Sequence, residues 1–299
     1  MVGLRIVKSF SVLPALSLLF LPELALAQKL KPDIPYVESG HDRQILDVYT
    51  PSKSSKKRLP VMFWIHGGGW QVGDKSEVGL KPKALTERGF IFVSTNYRLL
   101  PGVTMDVLIG DVAKALGWVY ANIGRFGGDP EQIFVGGHSA GAQLAALVCT
   151  DDSYLEKENL SFEALKGCVP VDGDTYDIPK IITTAELRQQ LYEGRLPGFG
   201  HRQKFGNDPK KHVNFSSVTH VGKDKGIPPF LILYFPGNPN TRAQARCLQE
   251  ALKKSGIPVE AYGNGDSNHS RLNNDLGKPD DPATDKLYQF LDRLTGKER

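Results

Sequence analysis

Short apolar runs alternate with longer segments of helical periodicity along most of the chain. The run at residues 61–65 (VMFWI) is apolar at every position, which is typical of a strand buried on both faces. Because residues 45–49 partly alternate between apolar and polar types, we expect them to form a half-exposed leading strand. Runs of similar length predict further strands at residues 90–95, 133–135, 168–171, 230–234 and 259–262.

Segments with helical periodicity lie between these strands. Apolar residues at Val112, Leu116, Val119 and Tyr120 form one face of a helix predicted over residues 107–123. The same reasoning predicts helices at residues 140–148, 185–192, 241–255 and 285–294. Strands that alternate with helices in this way predict an α/β fold, with a mostly parallel central sheet and helices on both faces.

The alternation stops between residues 172 and 228. This stretch contains one short helical segment and turns with glycine and proline, and it is too long for an ordinary connection between strands. It lacks the continuous apolar surface that a separate domain needs. We therefore expect a cap-like insertion over one end of the sheet, within a single domain of residues 28–299.

The first 27 residues have the pattern of a secretory signal peptide. Arg5 and Lys8 precede a mostly apolar run, and an Ala-Leu-Ala sequence that ends at Ala27 resembles a cleavage site. The run is interrupted by Pro14 and is shorter than the roughly 20 residues that span a bilayer. We expect cleavage after Ala27, export to the periplasm or medium, and no stable membrane insertion afterwards. An uncleaved N-terminal anchor is the alternative.

Composition narrows the function classes. The chain has 299 residues, of which 40% are hydrophobic and 23% are charged, and it contains no internal repeat, so we expect an ordinary globular protein. A net charge of +4 is too small to indicate binding to nucleic acid or to an anionic membrane. The dense basic run at residues 53–58 has no interleaved aromatic residues, which predicts a solvated loop.

The spacing of the cysteines resembles no zinc motif. Cys149, Cys168 and Cys247 each lie beside apolar residues, so we expect buried free thiols. A disulfide between Cys149 and Cys168 is the alternative, because the first would end a helix and the second would begin the next strand.

Candidate chemistry begins at residues 137–141 (GHSAG), which match the pattern G-x-S-x-G. The apolar run at 133–135 leads directly into this pattern, and an alanine-rich helical segment follows it. Glycines two residues before and after Ser139 permit a tight strand-to-helix turn that exposes the serine hydroxyl at the edge of the sheet. We predict that Ser139 is a nucleophile; a turn used only for packing is the alternative.

A second glycine motif, residues 66–70 (HGGGW), directly follows the predicted strand at 61–65. Successive glycines leave backbone N–H groups unshielded, so those of Gly68 and Gly69, together with that of Ala140, would hold a developing oxyanion. A phosphate-binding loop is not expected, because no Gly-Lys-Ser or Gly-Lys-Thr ending follows. The sequence shows no metal or nucleotide site, and we expect no cofactor.

A histidine that transfers the proton is expected near the C-terminus, because enzymes built on this strand–turn–helix order their residues as serine, acid and histidine. His269 lies in a polar loop just after the predicted strand at 259–262 and is the candidate general base and acid. His138 is expected to pack or to form a local hydrogen bond. The insertion carries three further histidines that we expect at the surface, namely His201, His212 and His220.

With both glycine motifs in this order, the sequence resembles the α/β-hydrolase superfamily. It is similar to the small esterase branch that pairs HGGGW with GHSAG and includes bacterial carboxylesterases, feruloyl-esterase-like enzymes and arylformamidases. The resemblance runs from about residue 45 to residue 294 and includes residues 96–99 (NYRL) and 129–130 (DP). It implies the α/β-hydrolase fold and a serine hydrolase that forms an acyl-enzyme.

One position departs from this resemblance. In such relatives an aspartate follows the strand equivalent to residues 230–234, some way before the catalytic histidine. Here the following turn, residues 235–240 (FPGNPN), contains no carboxylate, and Asn238, or else Asn240, occupies the place. An amide can orient an imidazole but cannot stabilise imidazolium with a full charge, so either the enzyme is slow or another carboxylate substitutes.

Two aspartates are the best substitutes for the missing acid. Asp172 and Asp174 follow the predicted strand at 168–171, which neighbours the nucleophile strand, so either can reach the histidine from that side. Asp266 shares the loop of His269 and is a further option. We predict Asp172 as the acid; a role in turn formation around the intervening glycine is the alternative.

These residues predict an exported serine hydrolase that cleaves a carboxylic ester, either small or attached to a polymer. An arylformamidase-like amide hydrolase would use the same residues and is the first alternative. A catalytically weak or silent relative that binds an ester or a carbohydrate is the second, because asparagine occupies the usual acid position. The acyl group, the alcohol and the oligomeric state are not predicted.

Overall fold

The structure is a computed structural model that describes residues 28–38, 40–194 and 200–297. The predicted signal peptide, residues 1–27, lies outside the described residues. An eight-stranded mixed sheet crosses the described part of the chain. Its strands are β1 (Lys29–Pro35), β2 (Ile45–Thr50), β3 (Leu59–Ile65), β4 (Ile91–Thr95), β5 (Gly128–His138), β6 (Leu165–Val171), β7 (Phe230–Tyr234) and β8 (Val259–Gly263).

The strands lie in the order β1-β2-β4-β3-β5-β6-β7-β8. The pairs β1–β2 and β2–β4 are antiparallel, whereas the pairs β4–β3, β3–β5, β5–β6, β6–β7 and β7–β8 are parallel. The central strand β3 pairs on both sides, with Val61 opposite Ile91 and Ile133. Parallel strands end at the same edge, so the loops that follow β3, β5, β6 and β8 all meet there.

Helices cover both faces of the sheet. Side chains of β3 alternate between two apolar clusters: Val61, Phe63 and Ile65 pack with α2, α3 and α9, whereas Met62 and Trp64 pack with α1, α10 and α11. The helices are α1 (Lys81–Glu87), α2 (Met105–Asn122), α3 (Ala140–Val148), α4 (Asp152–Glu156), α5 (Ile178–Leu191), α6 (His201–Phe205), α7 (Pro209–Asn214), α8 (Ser217–His220), α9 (Pro239–Lys254), α10 (His269–Asn274) and α11 (Pro282–Thr295).

The prediction of a half-exposed leading strand is wrong. Strand β2 is the second strand of the sheet, and its Leu46 and Val48 are fully buried. The edge is β1, a strand that the pattern did not predict and whose residues are mostly exposed. Its sequence, KLKPDIP, has two lysines and two prolines, which suit an edge strand and hide the apolar alternation by which strands are recognised.

The insertion folds as helices α5 to α8. Tyr176, Ile178, Phe205 and Phe215 belong to the same buried cluster as α3 and the sheet, so these helices pack directly on the main core. This packing corrects the expectation that all three histidines of the insertion lie at the surface. Two of them are buried, with 4% and 5% of the residue exposed, namely His201 and His212.

The cysteines carry free thiols. Cys149 and Cys168 are buried, as expected, and no disulfide joins them. Cys247 is only partly buried, contrary to expectation, and its Sγ accepts a hydrogen bond from Lys180 Nζ at 3.0 Å. Within the described ranges, none of the helices combines the length and apolar character needed to cross a membrane.

Candidate active site

Ser139 stands in the turn between β5 and α3. Its backbone has φ 57° and ψ −117°, in the left-handed half of the map that non-glycine residues rarely occupy. The Ser139 N–H donates to the carbonyl of Val171 at 2.9 Å, which ties the turn to the end of β6. A strained backbone held by neighbouring strands is typical of a functional position, and this one holds Ser139 at the shared strand edge.

The flanking glycines are required by close backbone contacts. A Cβ at Gly137 would lie 2.3 Å from the carbonyl oxygen of Gly141, and one at Gly141 would lie 2.2 Å from that of Ile65. Real Cβ atoms do not approach this closely, so α3 can leave β5 at this angle only with glycine at both positions. These contacts therefore explain why glycine occupies both positions of the G-x-S-x-G pattern.

The HGGGW segment forms a tight turn after β3. Gly68 has φ +103°, and a Cβ there would lie 2.1 Å from the carbonyl oxygen of Val72. Gly69 has φ +59°. Among the described residues, the N–H groups of Gly68, Gly69 and Ala140 donate no hydrogen bond. A Cβ at Gly67 would lie 3.2 Å from the Cβ of Ser139, so the segment borders Ser139 and its N–H groups can stabilise a developing oxyanion there.

A basic residue that sequence reasoning missed supports this turn. Arg43 donates to the carbonyl oxygens of Tyr97 at 2.9 Å and Gly73 at 2.8 Å, and it lies 3.2 Å from His66 Nε2. Burial lowers the pKa of His66 to about 4, so the ring is neutral and its Nδ1–H donates to the carbonyl of Gly67 at 2.7 Å. Arg43 contacts residues that are 30 and 54 positions away in the sequence, so no local motif identifies it.

His66 and Tyr97 form the base of the turn. Their rings stack with centroids 4.3 Å apart, and the Tyr97 hydroxyl donates to the carbonyl of His66 at 3.0 Å. Trp70, at the end of the motif, is buried and donates to Gln143 of α3 at 3.2 Å. The conformation of the glycine turn is therefore fixed by rigid side chains beneath it.

His269 and Asp172 are in direct contact. His269 Nδ1 lies 2.6 Å from Asp172 Oδ2, and the second oxygen, Oδ1, accepts the N–H of Phe235 at 2.7 Å. Asp172 is buried, whereas 46% of the His269 side chain is exposed. The buried carboxylate thus has both oxygens hydrogen-bonded, and the opposite side of the imidazole remains accessible.

This contact sets the tautomer of the histidine. With Nδ1–H donating to Asp172, Nε2 carries the lone pair that accepts a proton. The hydrogen bond to Asp172 is the main cause that raises the pKa of His269, and burial partly opposes it. Neither the Ser139 hydroxyl nor His269 Nε2 forms a hydrogen bond with another described residue. Such contacts often tighten only when substrate binds.

The other acid candidates are engaged elsewhere. The Asp174 carboxylate lies 3.6 Å from His201 Nε2. Asp266 is exposed, and its N–H donates to Asn264 at 3.3 Å. No contact between either aspartate and the His269 ring is present among the described residues.

Neither asparagine of the 235–240 turn orients the histidine. Asn238 caps α9, its side chain accepting the N–H of Asn240 at 2.9 Å, and Asn240 accepts from Arg188 at 2.6 Å. Asn238, which occupies the usual acid position in the sequence, therefore caps a helix and does not contact the histidine. The turn contributes its Phe235 N–H to Asp172 instead.

Residues 46–239 match the BD-FAE family. Esterase LipQ of Mycobacterium tuberculosis is 31% identical over 240 residues, which cover 77% of this chain and 54% of LipQ. Kynurenine formamidase of Danio rerio is 27% identical over 237 residues, which cover 79% of this chain and 73% of that protein. The chain thus spans about half the length of LipQ.

A solved structure shares the architecture. Esterase B from Lactobacillus Rhamnosis superposes with a TM-score of 0.71 at 19% identity, covering 90% of this chain and 87% of that one. At this identity the likeness shows the fold alone, and it agrees with the parallel sheet and two helical layers described above. The fold is that of the α/β-hydrolases, as the two glycine motifs predicted. Since the family match covers more than half of its length, the chain belongs to the BD-FAE family.

Proposed function

We propose that this protein is a serine hydrolase that cleaves carboxylic esters. The observation that carries the proposal is the contact between His269 Nδ1 and buried Asp172, 2.6 Å apart, at the strand edge that also holds Ser139. This arrangement supplies a nucleophile, a proton acceptor in the right tautomer and an orienting carboxylate. Relatives named as esterases, including LipQ, support the same reaction.

The proposed reaction proceeds through an acyl-enzyme. Ser139 Oγ attacks the ester carbonyl while His269 Nε2 takes the hydroxyl proton, and the N–H groups of Gly68, Gly69 and Ala140 stabilise the oxyanion. His269 then returns the proton to the departing alcohol. A water molecule, deprotonated by the same nitrogen, then attacks the acyl group. His269 gives this proton to Ser139 Oγ as the acid leaves, which restores both residues.

Amide hydrolysis is the second candidate, because kynurenine formamidase is among the relatives. The same residues would cleave an N-formyl amide, and the leaving amine would take its proton from His269. Kinetics with p-nitrophenyl acetate and with N-formylkynurenine, measured on one preparation, separate the two. We expect the larger kcat/KM for the acetate, and the reverse ranking would favour the amide hydrolase.

A silent binding relative is a weaker alternative than the sequence suggested. The reason for considering it was an asparagine at the usual acid position. Asp172 now provides a carboxylate from the neighbouring strand, and it contacts His269 directly. Labelling of the wild type by a fluorophosphonate, with none in Ser139→Ala, is the expected result. Absence of labelling in the folded wild type would favour the binding protein.

We also propose that the chain is exported. The support is the Arg5 and Lys8 start, the apolar run and the Ala-Leu-Ala sequence ending at Ala27. N-terminal sequencing of the protein made in its own host should find Gln28 first. An intact Met1 start in the envelope fraction would favour the anchor.

A further inference from the structure

His269 lies at the start of a helix that is too short to be stable without contacts from other elements. Helix α10 has six residues, from His269 to Asn274. Isolated helices this short are not stable in water, because the cost of nucleation exceeds the gain from one or two hydrogen bonds. The orientation of His269 therefore depends on contacts that reach α10 from other elements.

His138 holds the N-terminal end of α10. The Nε2–H of His138 donates to the backbone carbonyl of His269 at 2.9 Å, and the two rings lie 4.5 Å apart. His138 is the last residue of β5 and directly precedes Ser139. This bond therefore links the strand before Ser139 to His269 independently of substrate and of Asp172.

The other end of α10 is held by Lys81. Its Nζ donates to the backbone carbonyl of Asn273 at 2.8 Å and to the side-chain oxygen of the same residue at 3.0 Å. Lys81 is 1% exposed, lies 4.9 Å over the ring of Trp64, and forms no ion pair with a described carboxylate. A buried lysine without a counter-ion is costly, and such residues are enriched at functional sites.

Leu272 of α10 packs in the apolar cluster with α1 and α11, but a gap lies between α10 and the glycine turn. A cleft of about 200 Å³ separates them, with Trp64, Gly68, His138 and Asn273 among its lining residues. On this side the helix is therefore supported by the two hydrogen-bonded side chains rather than by a continuous apolar contact.

The charges of the cluster are consistent with this support. Burial, with smaller contributions from the positive charges of His269 and Lys81, lowers the pKa of His138 to about 3. His138 is therefore neutral at physiological pH, and the hydrogen bond to a carbonyl places its proton on Nε2. A neutral ring of fixed tautomer holds the carbonyl of His269 without adding a charge beside its imidazole.

We propose that His138 and Lys81 are positioning residues for His269, which clamp α10 at its two ends and so hold the imidazole on Asp172. This inference rests on the proposed function and adds to it. Neither residue touches the reacting atoms; each acts through the backbone of α10.

The test compares kcat and KM for p-nitrophenyl acetate in variants of each clamp. His138→Phe keeps a ring but loses the donor, and Lys81→Met keeps the length but loses the Nζ donor to Asn273. We expect kcat to fall roughly 10- to 100-fold in each, the size of effect that a displacement of about 1 Å produces, with KM within about threefold. His138→Gln, which retains an N–H donor, should recover part of kcat.

Two further variants separate positioning from general loss of stability. Asn273→Ala removes one acceptor of Lys81 at a partly exposed site and should fold, with a smaller fall in kcat. Arg88→Met is the matched control, because Arg88 is a basic residue at the end of α1 that binds Asp292 of α11 at 2.5 Å. We expect it to lower the melting temperature and to leave kcat unchanged.

The pH dependence of kcat separates positioning from a purely structural role, because a general loss of stability would not shift it. The groups that act on the charge of His269 are Asp172, Asp174 and His138, and Lys81 in turn acts on His138. Loosening the contact with Asp172 removes the main cause of the raised pKa of His269, so the acid limb of kcat should move to lower pH in Lys81→Met. Loss of the lysine charge alone would move it to higher pH, and that result would overturn the positioning role.

The inference and the proposed function fail in different ways. If folded Lys81→Met, His138→Phe and Asn273→Ala all keep kcat within threefold of wild type while Ser139→Ala is inactive, the clamp is wrong and the hydrolase stands. If Ser139→Ala keeps wild-type turnover, the proposed function fails first. Should Lys81→Met or His138→Phe not fold, Asn273→Ala and the clamp variant that does fold decide the outcome by the same criteria.

Discussion

Replacing Asp172 by asparagine perturbs one atom of the proposed site. The carboxylate accepts from His269 Nδ1 with one oxygen and from the Phe235 N–H with the other. An amide has only one oxygen to offer. If this oxygen keeps the Phe235 N–H, the amide nitrogen faces Nδ1 and donates to it, which forces the proton of His269 onto Nε2. The histidine can then no longer accept the proton of Ser139.

The magnitude follows from the lost tautomer and the lost charge. In a serine protease the corresponding exchange lowers turnover by about 10⁴, or roughly 5 kcal/mol of transition-state stabilisation. We expect a loss of this order here, because Asp172 is buried and holds both hydrogen bonds. KM should change little, since Asp172 lies behind the imidazole. Loss of the main cause that raises the pKa of His269 should also move the acid limb of residual activity to lower pH.

The assay is steady-state hydrolysis of p-nitrophenyl acetate from pH 5 to pH 9, with thermal melting to show that the variant folds. Asp174→Asn is the matched control, because it makes the same exchange two residues away, where the carboxylate faces His201 instead. We expect it to keep kcat within a few-fold of wild type. A folded Asp172→Asn variant that keeps more than a tenth of wild-type kcat would refute the assignment of Asp172 as the orienting acid.

Gly68→Ala should lower kcat roughly 10²- to 10³-fold, because its Cβ would displace the turn that carries the oxyanion donors; kcat measured on the folded variant checks this, and unchanged turnover would place the oxyanion site elsewhere. Asn238→Asp should raise kcat less than twofold, because Asn238 caps a helix and Asp172 already contacts His269; a tenfold gain would contradict that assignment. Burial lowers the pKa of folded Lys81 to about 7, so between about pH 7 and 10.5 the unfolded chain binds more protons than the folded chain. The free energy of unfolding should therefore rise with pH in that window. Urea unfolding should show a weaker pH dependence of this free energy for Lys81→Met, and the same dependence in both proteins would contradict the prediction.

The glycine motifs were predictable from the sequence because their cause is local. The turn at Ser139 needs glycine at two fixed positions, and the turn at Gly68 needs a positive φ, so each leaves a short pattern in the chain. The alternation of strands and helices is equally local, and the parallel sheet it predicted is present. Strand β1 was missed because lysines and prolines at a sheet edge conceal that alternation.

The sequence reduced the carboxylates that could orient His269 to a few candidates but did not decide between them. Three aspartates had acceptable positions in sequence, and the choice depends on a tertiary contact: Asp172 has φ 51°, which directs it across to the Phe235 N–H after β7. Arg43 and Lys81 were missed for the same reason, since each acts on a segment distant in sequence. The burial of His201 and His212 depends on how helices α5 to α8 pack, which periodicity does not report.

The central claim is that turnover passes through an acyl group on Ser139. Rapid quenching of the wild-type protein with p-nitrophenyl butyrate, followed by peptide mass mapping, tests it directly. We expect one butyryl group per chain on the peptide that contains residues 137–141, formed at the rate of the burst of p-nitrophenol and absent in Ser139→Ala. Undiminished ester hydrolysis in folded Ser139→Ala, or an acyl group on a different residue, would contradict the account.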